Sequence, residues 1–107
     1  MLTIWRFDFP IDDRVVVKMP SGAVIIHAAM HDIATSWITV WATVDDAAPL
    51  VDHIIYVRGT GHPLGDAGFA RHIGTVFDYC RGEGYAPLVW HVFDGLEVPI
   101  SPETEVK

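Results

Sequence analysis

Apolar residues in this chain come in short runs rich in β-branched and aromatic side chains, and Pro, Gly or Asp separates each run from the next. Within the runs the period is two. From Leu2 to Phe9, Trp5, Phe7 and Phe9 alternate with Arg6 and Asp8, the pattern of a strand with one wet face. Pro10, Asp12 and Asp13 break it. From Arg14 to Met19, Val15 and Val17 face away from Arg14 and Lys18, and Met19-Pro20-Ser21-Gly22 suits a type I turn. From Ala23 to Met30, Val24, Ile26, Ala28 and Met30 share a side, with His27 on the other. From Ser36 to Val44 both faces are apolar: Trp37 and Trp41 on one, Ile38, Val40 and Val44 on the other. Asp52 to Arg58 and Leu88 to Phe93 contain neither Gly nor Pro and are rich in strand formers.

Residues 69–80 carry two patterns. Phe69, Ile73 and Phe77 recur at helical spacing, whereas Gly74-Thr75-Val76 favours a strand from His72 to Tyr79. About seven short strands in one chain of 107 residues imply an all-β fold. The expected architecture is a small single-domain antiparallel sandwich or barrel over residues 1–98, with 99–107 as a loose tail. Trp5, Phe7, Val15, Val17, Val24, Ile26, Val40, Ile55, Val57 and Phe77 are expected in its core.

Charge and cysteine content narrow the function classes. Lys plus Arg number 7 against 14 acidic residues, a net charge of −7, so no dense cationic stripe is available for general nucleic-acid binding. Cys80 is the only cysteine, which excludes an internal disulfide and fits a reducing compartment. The uncharged stretch from Ile33 to Val44 falls short of the roughly 20 residues a membrane span needs. Arg6 and Asp8 interrupt the N-terminal apolar run, so no signal peptide is expected. The chain reads as cytosolic, without membrane contact.

No local pattern marks a catalytic residue, a cofactor or a metal. Gly-x-Ser-x-Gly and His-Glu-x-x-His are both missing. His27 and His31 would lie about 13 Å apart on one extended strand, too far to share an ion. The stretch that stands out is Arg58-Gly59-Thr60-Gly61-His62-Pro63. Pro63 denies the helix a dinucleotide fingerprint requires, so this is a strand end turning into a loop whose amides can converge on an anion. Alternation turns Tyr56 and Arg58 to the face beside that turn. Arg58 supplies a forked donor, Thr60 a hydroxyl, Gly61 an unhindered amide and His62 a titratable ring, with His91 on the last strand as a neighbour. The ligand-binding set is therefore Tyr56, Arg58, Gly59, Thr60, Gly61, His62 and His91. The competing reading makes Arg58 a structural group and the loop a simple turn. Trp37 and Trp41 form a candidate partner face, and a strand apolar on both sides in so short a chain predicts a homo-oligomer, a dimer.

Several stretches together resemble a known family. They are Ile4-Trp5-Arg6-Phe7, Val17-Lys18-Met19-Pro20-Ser21-Gly22-Ala23, Trp41-Ala42-Thr43-Val44-Asp45, Tyr56 to Pro63, His72-Ile73-Gly74-Thr75 and Val89-Trp90-His91-Val92-Phe93. In that order they are similar to a small family of uncharacterised bacteriophage and prophage proteins, with Gly-Thr-Gly-His-Pro the most specific part and the similarity ending near Gly95. The resemblance implies phage origin and a single domain, and no activity. Three functions fit: a non-enzymatic binding protein that counters host defence by sequestering a nucleotide-like ligand or occupying a host protein, a virion-associated structural or accessory protein, and a small hydrolase or nuclease using His62 with His91 or His72.

Overall fold

The computed structural model describes residues 1–32, 36–79 and 86–98. Cys80 and the tail 99–107 lie outside the described residues. Seven strands follow one another: β1 (Leu2–Pro10), β2 (Arg14–Pro20), β3 (Val24–Asp32), β4 (Trp37–Asp45), β5 (Leu50–Gly59), β6 (Arg71–Asp78) and β7 (Leu88–Glu97). A short 3-10 helix, Gly65–Phe69, sits between β5 and β6. Within the segment with two patterns Arg71–Asp78 is a strand, and each of the seven expected strands is present.

The strands form two antiparallel sheets, in the orders β1-β4-β3 and β2-β5-β7-β6. The chain passes between sheets at β1–β2, β2–β3 and β4–β5. The β2–β3 crossing is a tight turn in which Ala23 N–H donates to Pro20 O at 3.1 Å. Gly22, at φ +86°, takes its third position. That is the type II arrangement, one residue further on than the type I turn expected, because Gly is the residue there that tolerates a positive φ.

Facing side chains make the core. Phe9, Ile38, Val40, Ala42, Val44, Ile25 and Ala28 from the three-stranded sheet meet Met19, Ile55, Val57, Val76 and Val92 from the four-stranded one. The sheets approach side by side along β3 and β6, where Arg71 Nη2 donates to Ile25 O at 2.7 Å, but β3 and β6 do not pair. The architecture is a sandwich, not a closed barrel.

Val40, Ile55 and Val57 are buried as expected, and Phe7, Val15 and Val17 are half-buried against the core. Trp5, Val24, Ile26 and Phe77 are exposed, contrary to expectation. Trp5 points inward but lies on an edge strand. In β3 an irregularity between Ile25 and His27 resets the alternation, so Ile25 and Ala28 turn inward while Val24 stays outside. In β6 a similar shift between His72 and Gly74 sends Val76 inward and Phe77 outward.

Candidate functional site

The four-stranded sheet carries histidine chemistry on both faces: His53 on the inward one, His72 and His91 on the outward one. On the inward face, His53 of β5 and Asp94 of β7 are 1% and 2% exposed, and His53 Nε2 lies 2.6 Å from Asp94 Oδ1. A carboxylate only accepts, so Nε2 carries the proton and donates. Asp94 Oδ1 also accepts from Leu96 N–H at 2.8 Å, and Arg71 Nη2 stands 3.4 Å from Oδ2. Burial pushes the Asp94 carboxyl up. The bonds from His53 and Leu96 and the charges of His53 and Arg71 outweigh that, and its pKa lies below the ordinary aspartate value. His53 and Asp94 are sealed between the sheets, and with Leu96 N–H and the half-exposed Arg71 at their edge they make a structural network.

The outward face is different. Register places Arg58 of β5, His91 of β7 and Thr75 of β6 in one row, and Tyr56, Phe93 and His72 in the next. His91 is held at both ring nitrogens: Nε2 is 2.9 Å from Thr60 Oγ1 and Nδ1 is 3.0 Å from Thr75 Oγ1. Thr75 Oγ1 is also 3.2 Å from His72 Nε2. A chain Thr60–His91–Thr75–His72 therefore runs across the surface. The His72 ring packs edge-on to Phe93 at 5.4 Å and lies 6.1 Å from the His91 ring. His72 and Thr75 are three residues apart, a spacing that puts regular-strand side chains on opposite faces. The register shift between them puts both outside.

The sequence-derived set is partly assembled here. Tyr56, Arg58, Thr60 and His91 meet on the outer face, with the Arg58 guanidinium 5.4 Å from the Tyr56 ring centroid. Arg58 is heavily engaged: Nη1 donates to Asp13 O at 2.6 Å and Val57 O at 3.0 Å, and Nε donates to Leu64 O at 3.1 Å. The turn after β5 closes with His62 N–H donating to Gly59 O at 3.1 Å, and Gly61 sits at φ +86°. The His62 ring lies against Gly59, where an added Cβ would come within 2.7 Å of it. Trp37 and Trp41 lie apart from this set, on the outer face of the three-stranded sheet, where Trp41 packs against His27 at 5.7 Å.

Two cavities flank the hydroxyl–imidazole chain. One of about 250 Å³ is lined by Gly59, Thr60, His62, Leu88, Val89 and Trp90. The other, about 320 Å³, follows the β3–β6 seam beside His27, Ala28, Met30, Thr75, Val76 and Phe77. Each contains one of the two threonines bound to His91. Among the described residues no cluster of three or more His, Cys, Asp or Glu could hold a metal ion.

The comparison with known families decides the membership. A domain of unknown function, DUF7352, matches residues 1–101. The chain belongs to this family. The match runs past Gly95, where the sequence resemblance was expected to end. No curated protein and no solved structure matches the chain. No helix among the described residues is long and apolar enough to cross a membrane.

Proposed function

We propose that this DUF7352 member is a non-enzymatic binding protein that holds a small polar or anionic, nucleotide-like ligand on the outer face of its four-stranded sheet. The observation that carries the reading is the chain Thr60–His91–Thr75–His72, with a cavity at each threonine. Hydroxyls and imidazoles serve as donor or acceptor at need, and Phe93 and Tyr56 beside them offer stacking surfaces. Arg58 supports the site from β5, and Gly59, Gly61 and His62 shape the turn that presents Thr60. The resemblance to phage proteins supports a phage-encoded role in the host cytosol, as a counter-defence protein that sequesters a nucleotide signal or occupies a host protein. The test is a melting-temperature screen against nucleotides, followed by heat release of the bound compound. Recovery of that compound unchanged supports sequestration. Recovery of a product favours the second reading, a histidine-dependent hydrolase or nuclease, for which the nearness of His72 and His91 is the specific support.

The outer face of the three-stranded sheet supports a partner proposal. Ile4, Val24, Ile26 and Trp37 are exposed there around Trp41. Pairing with a second copy through this face would cover them all at once. Light scattering that finds an 11.9 kDa monomer at high concentration overturns the dimer.

A further inference from the structure

We infer that His91 sets the hydrogen-bonding polarity of both cavities at once, so that its protonation turns this face into a site for phosphate-type anions. The inference rests on the ligand-site reading above and adds what controls that site.

A neutral imidazole has one N–H and one lone pair. His91 therefore cannot treat its two threonines alike. When Nδ1–H donates to Thr75, the Thr60 hydroxyl spends its proton on Nε2 and offers only lone pairs to its cavity. The Thr75 proton then remains for His72 Nε2 or for a ligand in the seam. In the other tautomer the roles exchange: Thr60 has a free proton, and Thr75 gives its own to Nδ1. With His91 neutral, one cavity presents a donor and the other an acceptor. That mismatch disfavours a group made only of acceptors, such as a phosphate dianion.

Protonation removes the mismatch. Both His91 nitrogens then donate, both threonines accept from them, and both hydroxyl protons become available to a ligand. The imidazolium also adds a positive charge next to Arg58, its register partner on β5. The other titratable groups facing this region are His72 from β6, His62 from the turn after β5, His27 from β3 at the seam cavity and Tyr56 from β5. Among the described residues no carboxylate is bonded to His91 or His72. Arg58 and the histidines thus gather cationic capacity on one face of a chain whose net charge is −7.

The test uses the full chain with inorganic phosphate and adenosine 5′-monophosphate as probes, titrated by calorimetry at about pH 5.5 and about pH 8, on either side of the histidine range. Each affinity is referred to the phosphate dianion, because both probes take up a proton of their own over this interval. Both probes are expected to bind about tenfold tighter at the lower pH, the scale of replacing a neutral hydrogen bond by a charge-assisted one. If only the nucleotide responds, the anion site needs a base beside it, and the phosphate-only form of the claim fails. His91→Gln keeps a donor and an acceptor but cannot titrate, so most of the tenfold response should disappear, leaving only what His72, His62 and His27 contribute. A variant that keeps the tenfold response overturns the role of His91. Should that variant melt below the assay temperature, ring nitrogen chemical shifts of the native chain decide. The two His91 nitrogens must both become protonated over the pH interval in which phosphate binding strengthens, and titration outside it overturns the inference. Wild-type binding that is equal at both pH values sinks this inference and leaves the ligand site standing. No binding of either probe at either pH sinks both.

Discussion

His53 and His91 belong to paired strands of one sheet, yet they stand in opposite settings because one faces the core and the other faces water. His53 meets Asp94 at 2.6 Å where both are almost fully buried. In that setting each lost partner strands a polar group away from solvent, so the network is tied to folding. His91 meets Thr60 and Thr75 at similar distances on the outer face. There water replaces any lost partner at little cost, and the same kinds of bonds remain open to exchange with a ligand. Distance alone does not separate a histidine locked in the core from one open to solvent; the side of the sheet does.

The sharpest way to break this contrast is to remove the buried carboxylate. Asp94→Ala leaves His53, Leu96 N–H and one contact of Arg71 without their acceptor, and is expected to cost about 3–5 kcal/mol, the range for breaking a buried ion pair. Urea denaturation measures it. A loss below about 1 kcal/mol would mean that the inner cluster is no more structural than the outer one. The same residue predicts a pH dependence. Its folded pKa lies below the unfolded value of about 4, so its stabilisation is complete above that value and lost as pH falls through the lower, folded pKa. Asp94→Asn should flatten the stability profile in that acid window, and an unchanged profile would assign the acid sensitivity elsewhere.

Arg58 lies between the two cases. The sequence presents it as a free forked donor, for which Arg58→Ala would cost about 1.5–3 kcal/mol of ligand affinity with little change in melting temperature. In the structure its Nε and Nη1 reach three carbonyl oxygens, on Asp13, Val57 and Leu64. These bonds tie the β1–β2 connection and the loop after β5 to the same strand end. Arg58→Ala is therefore expected to lower stability by about 1–2 kcal/mol, a few net hydrogen bonds partly replaced by water. Thermal melts compared with phosphate titrations of the same variant show which share of the effect is structural.

How much of this was legible follows from the same geometry. Strand positions were readable because Pro, Gly and Asp end each run and period two fills it, as in Arg14–Pro20. Face assignment failed where a register shift interrupts that period. Val24 and Ile26 fall on the wrong side of the shift in β3, and Phe77 follows the shift in β6. The placement of Tyr56, Arg58 and Thr60 beside the turn was legible from alternation along β5. Thr75 was not: its partnership with His72 depends on an irregularity that no local residue pattern announces. Nor was the His53–Asp94 pair, since 41 residues separate the two and only the β5–β7 pairing brings them together.

The smallest stability effect is expected at Thr75, and it tests the contrast most directly. Thr75→Val keeps the branched shape that a strand favours and sits on the exposed face, so stability should change by less than about 0.5 kcal/mol. The hydroxyl it removes is the one that both His72 and His91 reach, at 3.2 and 3.0 Å. Its loss leaves His91 bonded to Thr60 alone and cuts His72 out of the chain. Phosphate affinity near pH 5.5 should then fall about five- to tenfold, the equivalent of one net hydrogen bond of roughly 1–1.4 kcal/mol. Urea denaturation and phosphate titration on the same preparation read the two quantities. If the variant instead loses more than about 1.5 kcal/mol of stability while phosphate binding stays unchanged, the outer chain is a second structural network, and the difference between the two faces of the sheet disappears.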